Sequence, residues 1–239
     1  MQASFDAKLN AWHCQPRHGA ITAAPEGAPH LQYDSWTHLL ARAAVRPFLG
    51  TALRPNHLTT LRLLTGLAAC ALFALGTRDG DIWGGVIWLV SAFLDRADGE
   101  LARIGRMTSP AGHRYDYVTD VLINALFFVA IGIGLRHSWL GAWAIPLGLV
   151  AGIALAVCSV WSELLEAGQA HTERAYSGRW GFDPDDALYL MAPFAWLGWL
   201  APVLIGASVG ATLMMTITGI RLRRLSVRQP ASVPVTGDP

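Results

Sequence analysis

Four aspartates share one short stretch of this chain, DRADGELARIGRMTSPAGHRYDYVTD, which runs from Asp95 to Asp120. Asp95 and Asp98 are three residues apart and Asp116 and Asp120 four, so on helices each pair projects from one face. Carboxylates facing one another at close range cannot all stay ionised without a counter-charge. For ligands that are all oxygen, that counter-charge is a hard divalent cation, Mg²⁺ or Mn²⁺. Asp95, Asp98, Asp116 and Asp120 are therefore the candidate metal ligands.

The elements that must position them are apolar. Of the 239 residues 53% are hydrophobic and only 15% charged, with abundant Trp and Gly, which is the profile of a multi-span membrane protein. Six apolar runs stand out: Leu58 to Gly76, Ile82 to Leu94, Val121 to Leu135, Leu140 to Trp161, Ala187 to Leu200 and Val203 to Ile220. A bilayer core about 30 Å thick takes about 20 helical residues. The second and third runs fall short of that, so their helices must be completed by the aspartate segment. The carboxylates are then expected near the membrane interface, facing the bundle interior or a wet cavity. Antiparallel and closely joined, the two runs bring all four to one side. The expected fold is all-α, a six-transmembrane-helix bundle.

The basic residues say which side. Arg42, Arg46 and Arg54 precede the first run, Arg96, Arg103, Arg106 and Arg114 join the second to the third, Arg174 and Arg179 join the fourth to the fifth, and Arg221, Arg223, Arg224 and Arg228 follow the last. The opposite loops hold little beyond Arg78 and Arg136. The positive-inside tendency makes both termini and the acidic site cytoplasmic. Trp83, Trp139, Trp143, Trp196 and Trp199 fall where the other interface would lie, as an aromatic belt does. The expected location is the inner membrane of a bacterium.

Residues 1–33 are polar and irregular and read as disordered, with no apolar run to serve as a signal peptide. Residues 34–53 read as an amphipathic helix in the interface, capped by Asp34 or Ser35, with Trp36, Leu39, Leu40, Ala43 and Ala44 on one face. Residues 54–224 form the six-span domain and 225–239 a disordered tail. Cys14, Cys70 and Cys158 are odd in number and widely spaced, which argues against a disulfide framework. His13, Cys14 and His18 lack a fourth ligand for zinc. Gly206 and Gly210 form a G-x-x-x-G that suits either a dimer contact or packing within the bundle.

Asp95, Asp98, Gly99, Ala102, Arg103, Gly112, Asp116 and Asp120 fit without a gap the pattern D-x2-D-G-x2-A-R-x8-G-x3-D-x3-D, and the chain resembles the CDP-alcohol phosphotransferases, class I, on these residues. The segment PNHLTTLR, Pro55 to Arg62, is similar to the P-N-x-L-T-x-x-R opening of the first span in many bacterial members. The resemblance implies six spans, a homodimer, no nucleic-acid partner, and transfer of a phosphoalcohol from a CDP-linked donor to an alcohol acceptor with release of CMP, in phospholipid biosynthesis. Such a reaction needs metal to neutralise the diphosphate and a base to take the acceptor's proton. By the resemblance, Asp95, Asp98 and Asp116 are metal ligands for Mg²⁺ or Mn²⁺, two ions in all. Asp120 is the base, near the second metal, and Asp116 and Asp120 form the catalytic pair. Gly99 and Ala102 let a nucleotide approach the helix, Arg103 pairs with a phosphate, and Asn56, Thr59 and Arg62 lie beside the nucleotide. Taken alone, most of these positions have a plainer reading: Gly99 and Ala102 as packing residues, Arg103 and Arg106 as orientation signals, Arg62 as a side chain reaching for headgroups.

CDP-diacylglycerol is the expected donor. His113 and Arg114 beside Asp116, with Gly112, Arg174 and Arg179, are expected to favour an acceptor that already bears a phosphate, such as glycerol 3-phosphate or an inositol phosphate; contact with anionic lipid explains the same cations. Asp183, Asp185 and Asp186 are expected to cap the fifth span. Two other readings stand beside this one. DGELAR resembles the D-G-E-h-A-R form of inositol-phosphate-transferring members, which points to a soluble CDP-linked polar alcohol as donor, with a lipid or polyol-phosphate hydroxyl as acceptor. An ion or proton transporter would use the buried aspartates as its pathway.

Overall fold

The computed structural model describes residues 36–168 and 184–228. The expectations for residues 1–33, His13, Cys14, His18, Arg174, Arg179, Asp183 and residues 229–239 lie outside them. Among the described residues the chain is all-helical, without a strand: α1 (Trp36–Val45), α2 (Pro55–Leu75), α3 (Arg78–Ile104), α4 (Pro110–Gly134), α5 (Ala144–Gly168), α6 (Met191–Trp196) and α7 (Leu200–Arg228). A 3₁₀ helix, Pro184–Leu190, leads directly into α6. Four segments are long and apolar enough to cross a membrane: Pro55–Leu75, Pro110–His137, Gly141–Leu165 and Leu200–Arg223.

α3 is not among the four, because charge rather than length disqualifies it. Its 27 residues reach about 40 Å, yet Arg78, Asp79 and Asp81 occupy one end and Asp95 to Arg103 the other. The helix runs unbroken through Asp95 and Asp98. Thr77 caps its start by accepting from the Gly80 amide at 3.1 Å, with Asp79 and Asp81 in the first turn suiting the helix dipole. At its other end the Met107 amide reaches Ala102 O at 3.0 Å and the Arg106 amide reaches Arg103 O at 3.3 Å. This is a Schellman closure in which Arg106, at φ 52°, takes the left-handed place that glycine usually fills. Three residues later Ser109 caps α4, accepting from the Gly112 amide at 3.0 Å, and Pro110 occupies the first helical position.

The fifth apolar run differs from expectation. In place of one helix from Ala187 to Leu200, the chain passes from 3₁₀ helix to the short α6, turns at Gly198 with φ +75°, and starts α7 at Leu200. Pro193 cannot supply an amide to a continuous α-helix there. The segment is laced along α3 instead. The Trp88 indole donates to Leu188 O at 2.9 Å, the Tyr189 hydroxyl to Ala92 O at 3.0 Å, and the Trp196 indole to Ile82 O at 3.1 Å. Asp186 accepts from the Thr37 hydroxyl at 2.8 Å and so ties this segment to α1. The last helix continues to Arg228, past the expected boundary at residue 224.

Between the helices, Trp88 stacks on Phe127 at 4.1 Å and Phe73 meets Phe127 edge-on at 5.4 Å, joining α2, α3 and α4 in one core. α4 and α5 approach still more closely at Gly148 and Gly152, where a Cβ would stand 2.5 Å from Phe128 O and 2.6 Å from Ala125 O. These two glycines form a G-x-x-x-G that packs α5 against α4. Gly206 and Gly210 on α7 face open space. α1 packs on α3 through Thr37, Ala41 and Val45, while Trp36, Leu39, Leu40 and Ala43 point outward as an apolar stripe.

Candidate active site

The site forms where α3 ends and α4 begins, with the first turns of α2 lying across both. α3 contributes Asp95 and Asp98, α4 contributes Asp116 and Asp120, and α2 contributes Thr59 and Arg62. Carboxylate oxygens of Asp95, Asp98 and Asp116 lie within 4.8 Å of one another. Three oxygen donors with no nitrogen or sulfur among them fit a hard divalent cation by number and type. Asp98 is buried and accepts from the Thr59 hydroxyl at 2.7 Å, a bond that fixes the carboxylate as outer hydrogen bonds fix metal ligands.

Asp120 is held separately. Its Oδ1 accepts from Arg62 Nη2 and from Asn124 Nδ2, both at 2.6 Å. The other terminal nitrogen of Arg62 lies 2.7 Å from Asp95 Oδ1 and 3.4 Å from Asp116 Oδ1. Arg62 is thus no headgroup anchor: it is 2% exposed and touches three of the four aspartates. One guanidinium against four carboxylates leaves a surplus of negative charge, which is the electrostatic case for a metal beside it.

A cavity of about 250 Å³ opens onto Asp95, Asp116 and Asp120. Its lining is mixed in charge, since His38, Arg96, Arg103 and His113 border the same space. Gly99 lines it too, and a Cβ there would meet nothing nearer than Arg103 Nη2 at 3.5 Å, so the room beside this glycine is cavity. Tyr117 also borders it, with a buried hydroxyl that has no hydrogen-bond partner among the described residues. A ligand can satisfy such a group.

The expected site residues divide accordingly. Asp95, Asp116, Asp120, Gly99, Arg103 and His113 meet at the cavity, with Asp98 and Thr59 directly behind. Ala102, Asn56, Gly112 and Arg114 are not part of its lining. Gly112 answers a packing demand instead: a Cβ there would come within 2.9 Å of the Ser109 cap and 3.1 Å of Asn56 Oδ1. Arg103 already has a carboxylate partner, Glu100 Oε1, at 2.6 Å. Sequence reasoning placed Arg62 beside the nucleotide but not among the carboxylates, and passed over Asn124, His38 and Tyr117. Asn124 had a readable signal, four residues beyond Asp120 on one helix; His38 had none, because only folding brings α1 to α3.

The sequence matches the family described as CDP-alcohol phosphatidyltransferase over residues 52–219. A curated relative, the Bifunctional IPC transferase and DIPP synthase of Aquifex aeolicus (strain VF5), is 26% identical over 183 residues, which are 73% of this chain and 40% of that protein. The chain therefore spans about two-fifths of the length of that relative. Among solved structures, Mycobacterium tuberculosis phosphatidylinositol phosphate synthase (PgsA1) with CDP-DAG bound superposes with a TM-score of 0.56 at 18% identity, over 85% of this chain and 99% of that one. The same synthase in complex with manganese and citrate gives 0.50 at 20% identity, over 84% and 93%. Those likenesses are of fold.

Proposed function

This chain belongs to the CDP-alcohol phosphatidyltransferase family, and from that premise we propose that it transfers a phosphatidyl group from CDP-diacylglycerol to an alcohol that already carries a phosphate, such as glycerol 3-phosphate or an inositol phosphate, releasing CMP. The observation that carries the reading is the trio Asp95, Asp98 and Asp116 gathered beside a cavity whose lining also holds His38, Arg96, Arg103 and His113. Carboxylates alone would repel a diphosphate; this combination accepts both a cation and an anion. The neighbour bound to CDP-DAG supports the donor, and its name as a phosphatidylinositol phosphate synthase supports a phosphorylated acceptor.

Asp95, Asp98 and Asp116 would hold Mg²⁺ or Mn²⁺, two ions with Asp120 near the second, and the metal supplies charge neutralisation to the diphosphate. Asp120, oriented by Asn124 and Arg62, takes the proton of the acceptor hydroxyl. The acceptor oxygen bonds to the phosphorus that bears the lipid alcohol, the pyrophosphate P–O bond breaks, and CMP leaves with the electron pair. Arg103 and His113 present donors to anionic groups in the cavity, and Gly99 leaves space for them. Ala102, Asn56, Gly112 and Arg114 support the nucleotide and acceptor from outside the lining, with Arg174 and Arg179 completing the acceptor side.

The enzyme works as a homodimer of six-span chains in a bacterial inner membrane, with site and termini cytoplasmic. α3 and the 3₁₀–α6 segment bonded along it support counting these as the second and fifth spans beside the four apolar helices. A second reading, transfer from a soluble CDP-linked polar alcohol, is favoured by the DGELAR form and by the named transferase activity of the Aquifex relative. Protein in lipid with Mn²⁺, either labelled CDP-diacylglycerol or a labelled CDP-linked polar alcohol as donor, and a panel of glycerol 3-phosphate, inositol, inositol phosphate and serine decides between them. Label in lipid product together with CMP, both lost in Asp116→Ala, is the expected result. Turnover confined to CDP-linked polar alcohols would establish the second reading, and full CMP release by Asp116→Ala would remove the site itself.

A further inference from the structure

Glu100 belongs to the acidic stretch but not to the metal trio. It is 2% exposed, and both of its oxygens are engaged. Oε1 lies 2.6 Å from Arg103 Nη2 and 3.0 Å from His38 Nδ1, and Oε2 lies 3.1 Å from Arg42 Nε. Two of those three partners, Arg103 and His38, line the cavity. The His38 ring continues the network, its Nε2 standing 3.4 Å from Arg96 Nη1. Arg96 Nη2 is in turn 3.7 Å from Asp186, which holds Thr37 of α1.

We propose that Glu100 is the positioning residue of the cavity's basic lining: one buried carboxylate aims Arg103 at an anionic ligand, while Arg42 and His38 tie that carboxylate to α1. The ligand class is a diphosphate. That it belongs to a CDP-linked donor rests on the reading above, whereas the lining does not. A mere staple for α1 would need Arg42 alone. Arg103 is the telling partner, because its side chain is 55% exposed and an arginine so exposed gains little from an ordinary surface pair. Fixed by a buried acceptor, it meets the ligand already oriented, and affinity rises because less freedom is lost on binding.

The test uses the full chain in lipid nanodiscs with two probes, inorganic pyrophosphate and CDP, each titrated with Mn²⁺ present, alongside Mn²⁺ binding by electron paramagnetic resonance. Glu100→Gln and Arg103→Met should each weaken both probes about tenfold, the loss of one charge-assisted bond. The double variant should bind no more weakly than Arg103→Met, since Glu100 acts through that residue. Mn²⁺ affinity should stay within about twofold, and Glu100→Asp should recover part of the loss. Amide exchange across Trp36–Val45 should accelerate in Glu100→Gln. Arg42→Gln, at a half-exposed position that spares the buried charge, should loosen α1 while weakening the probes by less than about threefold, and decides the matter if Glu100→Gln does not fold. Faster exchange with unchanged probe affinity would reduce Glu100 to a staple and overturn the proposal. So would additive losses in the double variant, or Mn²⁺ affinity falling in step with the probes. Wild-type protein that takes pyrophosphate but not CDP would refute the CDP-linked donor and leave Glu100's role standing.

Discussion

Asp95, Asp116 and Asp120 sit on two helices, yet a single side chain from a third, Arg62, answers all of them. A buried cation with three acidic partners is strongly coupled to whatever else neutralises them. Arg62→Gln removes that counter-charge, and metal-free protein should lose about 2–4 kcal/mol, as when one partner of a buried pair is deleted. The same change leaves Mn²⁺ more to neutralise, so adding the ion should raise the melting temperature of Arg62→Gln more than that of wild type. Differential scanning fluorimetry with and without Mn²⁺ reads both effects, and an equal gain in the two proteins would mean that Arg62 does not share the carboxylates with the metal. The aspartates were legible because four acidic residues at helical spacing inside an apolar chain have few other uses. Arg62 was not, because an arginine in the first turns of a span looks the same in sequence whether it reaches outward to headgroups or inward. Only the lie of α2 across α3 and α4 decides it.

Helix packing repeats that lesson at the level of elements. G-x-x-x-G spacing occurs at Gly76 and Gly80, Gly80 and Gly84, Gly148 and Gly152, and Gly206 and Gly210, and sequence alone singled out the last; α5 meets backbone carbonyls of α4 at Gly148 and Gly152. A carbonyl cannot rotate aside as a side chain can. Gly148→Leu should therefore force α4 and α5 apart and cost roughly 1–3 kcal/mol, seen as a lower melting temperature in detergent. Gly206→Leu should leave the melting temperature within about 1 °C, since one exposed substitution on an open face changes stability little. Equal losses from both would contradict the packing. The 3₁₀–α6 segment was legible as an apolar run but not as a broken one, because its path is set by indole and hydroxyl bonds to α3 carbonyls rather than by its own periodicity.

Across the whole molecule the two ends differ in chemistry. The aspartates and the α3–α4 connection lie at one end; Trp83, Trp139, Trp143, Trp196 and Trp199 are all at least 37% exposed and lie near turns at the other. Indoles at one level suit a membrane interface, and the orientation we propose has the acidic end in the cytoplasm. A cysteine introduced at Ser138 should then react with an impermeant maleimide in intact cells, and one at Thr108 only after permeabilisation; the reverse pattern would invert the assigned orientation. Cys70 and Cys158 are buried, so removing Cys14 should suffice for a quiet background. That the chain holds several apolar passages was legible from composition, four of them helices long and apolar enough to cross a membrane, whereas which of the six expected runs stand as uninterrupted helices was not, because charge at the ends of α3 and Pro193 in the fifth run blur the count. The order of the elements bears on biosynthesis as well. α2 leaves the ribosome before α3 and α4, so the guanidinium is already at the translocon when the acidic hairpin arrives. An aspartate is costly to insert, the more so the deeper it goes. A nascent hairpin that meets Arg62 on entry carries part of its own neutralisation, and the chain can be assembled in a membrane before any ion reaches it.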